Sequence, residues 1–184
     1  IVISETVIRD GSKNRPTADG VNMIIWNDGS VPKNAMTWGR AFTFPRECDV
    51  VVELTTPYIR GDVVHTLRHE FGHCLGLAHS VVNSIMARYS HRLGALTYDD
   101  EVGLSVLFPK SASLEKTTVT LRGQVVRWNG DPVMGAVLTL IDGSTRRPVL
   151  AGFSGLVHEQ QQLDRSGNFE LPGIPPGRHQ LLIR

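Results

Sequence analysis

The chain predicts an α+β fold in its first half, followed by a small all-β sandwich. Three observations carry this reading. Strand-like runs at 21–26 and 49–54 precede two stretches with helix signatures, one over residues 63–75 and one opening at Thr97. Those helix stretches carry a capping residue at their start and apolar residues at helical spacing. From residue 117 onward, alternating runs recur between Asn-Gly, Asp-Gly and Pro-Gly turns, the punctuation of a sandwich.

Taken in order, residues 1–8 read as a strand and 10–20 as a polar loop rich in Gly, Asn, Pro and Asp. A strand is expected at 21–26, closed by Asn27-Asp28-Gly29-Ser30, and 35–44 is extended and mixed in character. The β-branched run at 49–54 is the next strand, and Pro57 closes it. No acidic spacing in the Asp-Gly loops matches a calcium loop, so Ca²⁺ is unsupported and turn chemistry accounts for them. Asp62 is the expected N-cap of the first helix, with Val63, Val64, Leu67, Phe71, Cys74 and Leu75 on its apolar side. Thr97 and Asp100 form a capping box that opens a last helix through Glu101, Leu104 and Leu107, ending near Pro109. A polar linker at 110–116 separates a first domain, 1–110, from a second, 117–184. Strands are expected in the second at 118–127, 133–141, 148–153, 157–163, 168–171 and 179–183.

The chemistry sits in one stretch, His69-Glu70-Phe71-Gly72-His73-Cys74-Leu75-Gly76-Leu77-Ala78-His79. Its pattern, H-E-x-x-H-x-x-G-x-x-H, is the extended zinc-hydrolase signature. Residues four apart on a helix stand about 6 Å apart along its axis, on one face, so His69 and His73 can converge on one cation. Gly76 can end the helix with φ > 0 and turn the chain back, bringing His79 in as a third ligand. Three neutral nitrogens leave a fourth position open for water, the mark of a catalytic rather than a structural zinc site. Glu70, beside a ligand but not one itself, is placed to act as general base on that water. A short H-E-x-x-H match arises by chance among surface histidines; the glycine and third histidine at fixed offsets argue against chance here. His65 shares the helix face but lacks an adjacent glutamate, and reads as a supporting or packed residue. Cys48 and Cys74 read as two small buried hydrophobes, with a single bridge between them left open.

Composition narrows the function classes. A formal net charge of +1 gives no case for nucleic acid or a membrane surface as partner. No apolar run approaches the ~20 residues of a membrane span. The chain begins at Ile1 without an initiator methionine or signal-peptide pattern, which suggests a fragment or processed form.

The zinc stretch followed by Ser80, a methionine at Met86, and the run Asp99-Asp100-Glu101-Val102-Gly103-Leu104-Ser105-Val106-Leu107-Phe108 together resemble the matrixin branch (peptidase family M10 type) of the metzincin zinc metalloproteases. The resemblance covers roughly residues 20–109. It implies a twisted mixed sheet with two long helices, an active-site cleft between sheet edge and metal, and cleavage of protein or peptide substrates outside the cell. It also implies that Met86 forms an apolar base beneath the zinc. Asp99 and Asp100 would anchor the last helix, Asp100 tying it to the methionine turn. The residues 87–96 would form a wall of the pocket for the substrate residue after the cut. This sequence departs from the family pattern in several ways. No helix is read before the first strand, so the domain is expected to be truncated at its N-terminus. No histidine precedes His65, so the second, structural zinc of animal relatives is not expected. Arg88 stands where some metzincins place a tyrosine.

In the second half, Gly123-Gln124-Val125-Val126, the run Asn129-Gly130-Asp131-Pro132-Val133-Met134-Gly135-Ala136 and the run Ser166-Gly167-Asn168-Phe169-Glu170-Leu171-Pro172-Gly173 resemble carboxypeptidase regulatory-like (transthyretin-like) domains. The match runs from about 117 to 184 and implies a spacer or interaction module, contacting other domains or a surface ligand, with a closing strand missing at its C-terminus. The reading is thus a zinc endopeptidase with one catalytic Zn²⁺. The alternative is a catalytically degenerate surface or adhesion protein that uses both folds for binding. A zinc hydrolase acting on something other than protein is a further rival.

Overall fold

The computed structural model describes residues 16–26, 39–52, 63–88, 95–109, 117–157, 162–163 and 165–184. The expected strand at 1–8, the turn at 27–30, the N-cap Asp62, the middle of the pocket-wall loop at 89–94 and the linker at 110–116 lie outside the described residues. The chain is mixed α+β and forms two compact units, Ile1–Gly76 and Leu77–Arg184.

The first unit is built on β3 (Glu47–Val52). It lies between β1 (Ile24–Trp26), to which it is parallel, and β2 (Gly39–Phe44), to which it is antiparallel. A run of β-branched residues suits a strand covered on both faces, and Val50, Val51 and Val52 are fully buried. The strand starts two residues before the expected position. Pro45 and Arg46 form a two-residue turn, Arg46 with φ +72°, which pairs Phe44 with Glu47. Two acids at the start of β3 are buried and hold the upstream loop. Asp49 accepts the N–H groups of Thr17 (3.1 Å) and Met23 (3.0 Å). Glu47 accepts those of Asp19 and Gly20. Burial pushes the Asp49 carboxyl above the ordinary range, and the two backbone bonds draw it back.

Helix α1 (Val63–Cys74) carries the histidine motif and packs on β2 and β3. Its buried face differs from the expected apolar side. Thr66, Glu70 and Gly72 are buried, whereas Val64, Phe71 and Leu75 are exposed. Two features orient the helix. Thr66 and Glu70 close on Gly39 of β2, where an added Cβ would stand 2.6 Å from Thr66 Cγ2 and 3.0 Å from Glu70 Oε1. Cys74, on the same four-residue ridge, is joined by a disulfide to Cys48 of β3. The two cysteines are therefore a cross-link and not two separate apolar side chains.

In the second unit, α2 (Tyr98–Leu107) opens at the expected Thr97–Asp100 capping box. The longer strands after it form two sheets. One has the order β10-β5-β6, from β5 (Val137–Asp142), β6 (Pro148–Phe153) and β10 (His179–Ile183). The other pairs β4 (Val119–Gln124) with β9 (Asn168–Ile174). The single strand expected at 157–163 is instead two short antiparallel pieces, β7 (Leu156–Val157) and β8 (Gln162–Leu163). One apolar cluster joins Leu140 and Leu150 of the first sheet to Leu171 and Ile174 of the second, and Val102 of α2 belongs to it. The compact unit takes in α2 together with the strands beyond residue 117. No helix among the described residues is long and apolar enough to cross a membrane.

Candidate metal centre

Helix geometry brings the first two histidines together. His73 Nε2 stands 3.2 Å from His69 Nε2, with the two rings nearly perpendicular at 87°. Two imidazole nitrogens on one tetrahedral zinc at 2.0–2.1 Å stand roughly 3.3–3.4 Å apart, so the observed spacing fits shared ligation. Past the helix, Gly76 N–H donates to His73 O (2.9 Å) and Gly76 adopts φ +97°. The chain then reaches His79, and ligand atoms of His69, His73 and His79 all lie within 4.8 Å of one another. His69 and His73 are half-buried and His79 is exposed, so the set is open on one side. Three imidazoles with one open side are a donor set suited to Zn²⁺ with room for water. His65, one turn earlier on α1, does not belong to this set.

Glu70, next to His69 in the chain, packs into the contact with β2. It is 6% exposed, and burial raises its carboxyl to about 7. A backbone hydrogen bond from Ala41 N–H opposes that rise. Gly39, Ala41 and Thr66, which pack or bond around Glu70, lie outside the histidine motif and were not expected at the site. A glycine inside a strand pattern often marks a close approach of another element, and that signal was available at Gly39.

The residues after His79 are tightly tied. Ser80 N–H donates to Met86 O (2.9 Å), and Ser80 bridges Ala87 in parallel fashion. Met86 is 3% exposed, and Ile85 beside it is also buried. Asp100, 2% exposed, accepts the N–H groups of Ile85 (3.0 Å), Met86 (3.2 Å) and Thr97 (2.8 Å) and the Thr97 hydroxyl (2.8 Å). This single carboxylate holds the start of α2 to the methionine turn. Asp99 bonds differently: its carboxylate accepts the Ser80 hydroxyl and, through Oδ1, the N–H of Ala151 (2.8 Å). Burial raises the Asp99 carboxyl, and these two bonds draw it back.

Residues 49–109 match the family model for matrixins, peptidase family M10. That segment spans α1, the histidine set, the methionine turn and α2. No curated protein and no solved structure matches the chain.

Proposed function

We propose that the chain is a zinc-dependent endopeptidase. The observation that carries this reading is the convergence of three histidine nitrogens beside a buried glutamate fixed by a strand N–H. His69, His73 and His79 would hold the ion. When bound, zinc supplies Lewis acidity and lowers the pKa of water towards ~7. Glu70, whose carboxyl burial raises to about 7 in the metal-free chain, would take up and return the proton as general base. Met86 would form the apolar base beneath the ion, Gly76 would turn the chain to present His79, and Asp99 and Asp100 would anchor α2, Asp100 tying it to the methionine turn.

Among the described strands β2 lies at the edge of its sheet. An extended peptide adds readily to such an edge through main-chain hydrogen bonds, and the resemblance to matrixins supplies the same expectation of a cleft between sheet edge and metal. Residues 117–184 are read as a transthyretin-like sandwich with a role in contacts. Secretion fits the family and the Cys48–Cys74 bridge, because disulfides persist in oxidising compartments.

The test is cleavage of casein or a peptide library by the full chain, with and without a chelator. Glu70→Ala is expected to keep zinc and lose cleavage, and His79→Ala to lose both. Zinc binding without cleavage in the wild type would favour the binding-protein alternative. Near-normal cleavage by Glu70→Ala would overturn the role of Glu70.

A further inference from the structure

We propose that the strands downstream of α2 are part of the support of the metal centre, acting on His79 through the single carboxylate of Asp99. The inference rests on the metal-centre reading and goes beyond it, because a spacer module would have no such part. The connection is short. Ala151 N–H of β6 donates to Asp99 Oδ1 at 2.8 Å, and the Ser80 hydroxyl donates to the same carboxylate. Ser80 is the residue after His79. Its N–H also donates to Met86 O at 2.9 Å, and its Oγ accepts Val82 N–H at 3.2 Å. With Asp99 in place, the position of Ser80 is fixed at three points, and the freedom of the adjoining His79 backbone falls accordingly.

The same strands fix Asp99 itself. Tyr98, its neighbour, donates its hydroxyl to Gly173 O of β9 at 2.7 Å. Val102, one turn later, lies in the apolar cluster formed by Leu140, Leu150, Leu171 and Ile174. The first turn of α2 is thus held by both sheets. Ala151 pairs with Thr139 of β5, and β6 lies at the edge of its sheet, so its N–H is directed to Asp99 in place of a further strand. Residues that support metal ligands from outside typically change metal affinity 10- to 100-fold when lost.

The experiment is a zinc-affinity measurement on the full chain by competition with a chromophoric chelator. Ala151→Pro deletes the N–H on an edge strand, where proline is tolerated. Ser80→Ala deletes the other donor, and Ser80→Thr retains a hydroxyl. Ala151→Pro and Ser80→Ala are each expected to weaken zinc binding about 10- to 100-fold, with Ser80→Thr close to wild type. The double variant Ala151→Pro/Ser80→Ala should be no weaker than the weaker single variant, because both cut one path. Arg122→Ala, which breaks the exposed pair with Glu170, should change nothing. Folded Ala151→Pro with wild-type affinity would overturn the proposal. If Ala151→Pro does not fold, unchanged affinity in both Ser80→Ala and Asp99→Asn overturns it equally. A wild-type chain without zinc affinity would remove the metal-centre reading and this inference with it, an outcome distinct from a zinc-binding wild type with insensitive variants.

Discussion

Cys48 of β3 and Cys74 in the last turn of α1 are joined by a disulfide, their Cα atoms 5.5 Å apart. Cys74 follows His73 directly, so the end of the helix that carries two of the three histidines is covalently fastened to the central strand of its sheet. The bridge closes a loop with a sequence separation of 26, for which chain entropy alone gives stabilisation of roughly 3–4 kcal/mol. Cys48→Ser/Cys74→Ser should therefore lower the unfolding free energy of the metal-free protein by that order, read as a lower midpoint in urea. A midpoint equal to wild type would mean the bridge constrains nothing that the packing does not already hold.

Glu70 predicts a pH dependence of stability once metal is stripped. Its ordinary value of 4.5 applies to the unfolded chain, and burial raises the folded value to about 7. As pH rises past 4.5 the unfolded state loses its proton first, while the native state retains it, so native stability falls until about pH 7 and then levels. Glu70→Gln, which cannot ionise, should escape this loss. The variant should exceed wild type by on the order of 3 kcal/mol above pH 7, with the difference vanishing below about pH 4.5. Urea melts of chelator-treated protein at pH 4.5 and pH 8 read the two ends. Equal stability of the two proteins at pH 8 would refute the burial-driven shift.

Gly39 leaves the space that Glu70 occupies. A methyl group there would meet Thr66 Cγ2 at 2.6 Å and Glu70 Oε1 at 3.0 Å. Overpacking of this kind costs typically about 1–3 kcal/mol, and here the side chain displaced is the proposed base. Gly39→Ala should lower the melting temperature and reduce kcat for peptide cleavage more than it alters zinc content. Unchanged kcat with a lowered melting temperature would show that the glycine serves packing alone.

Asp100 gathers three backbone N–H groups and one hydroxyl. Removing a buried acceptor leaves each donor unsatisfied at about 1–3 kcal/mol. Asp100→Ala should cost at least about 3 kcal/mol in urea unfolding and reduce bound zinc, since the methionine turn follows His79 closely. Asp100→Asn, which keeps one acceptor oxygen, should fall between. Zinc content and unfolding measured on the same samples check both statements.

Much of the site could be read before any coordinates because its geometry is local. His69 and His73 are one helical turn apart, Gly76 takes the positive φ expected of it, and the Thr97–Asp100 box is a four-residue pattern. What escaped depended on distant partners. Which face α1 buries is decided by the Cys48 bridge and the space at Gly39, and both override its exposed Val64, Phe71 and Leu75. Spacing alone does not set the distance between two cysteines. The bond from Ala151 to Asp99 spans 52 residues and involves a backbone N–H, which leaves no mark on residue type. The pairing of β7 with β8 was missed because Val157 and Leu163 read as the ends of one run, although five polar residues, 158–162, stand between them.

The buried acids of β3 have a consequence for the order in which the first unit assembles. β2 and β3 are joined by a two-residue turn, so their pairing closes a very short loop. Contacts of Asp49 and Glu47 with Thr17, Met23, Asp19 and Gly20 bridge 26 to 32 residues. Short loops close at lower entropic cost than long ones, so the hairpin forms first and its carboxylates then act as a mould for the earlier part of the chain. Pulse-labelled hydrogen exchange during refolding should protect the β2–β3 amides ahead of those of Thr17 and Met23; simultaneous protection would contradict this sequence. A polypeptide synthesised from its N-terminus would then carry residues 17–23 unformed until β3 has emerged.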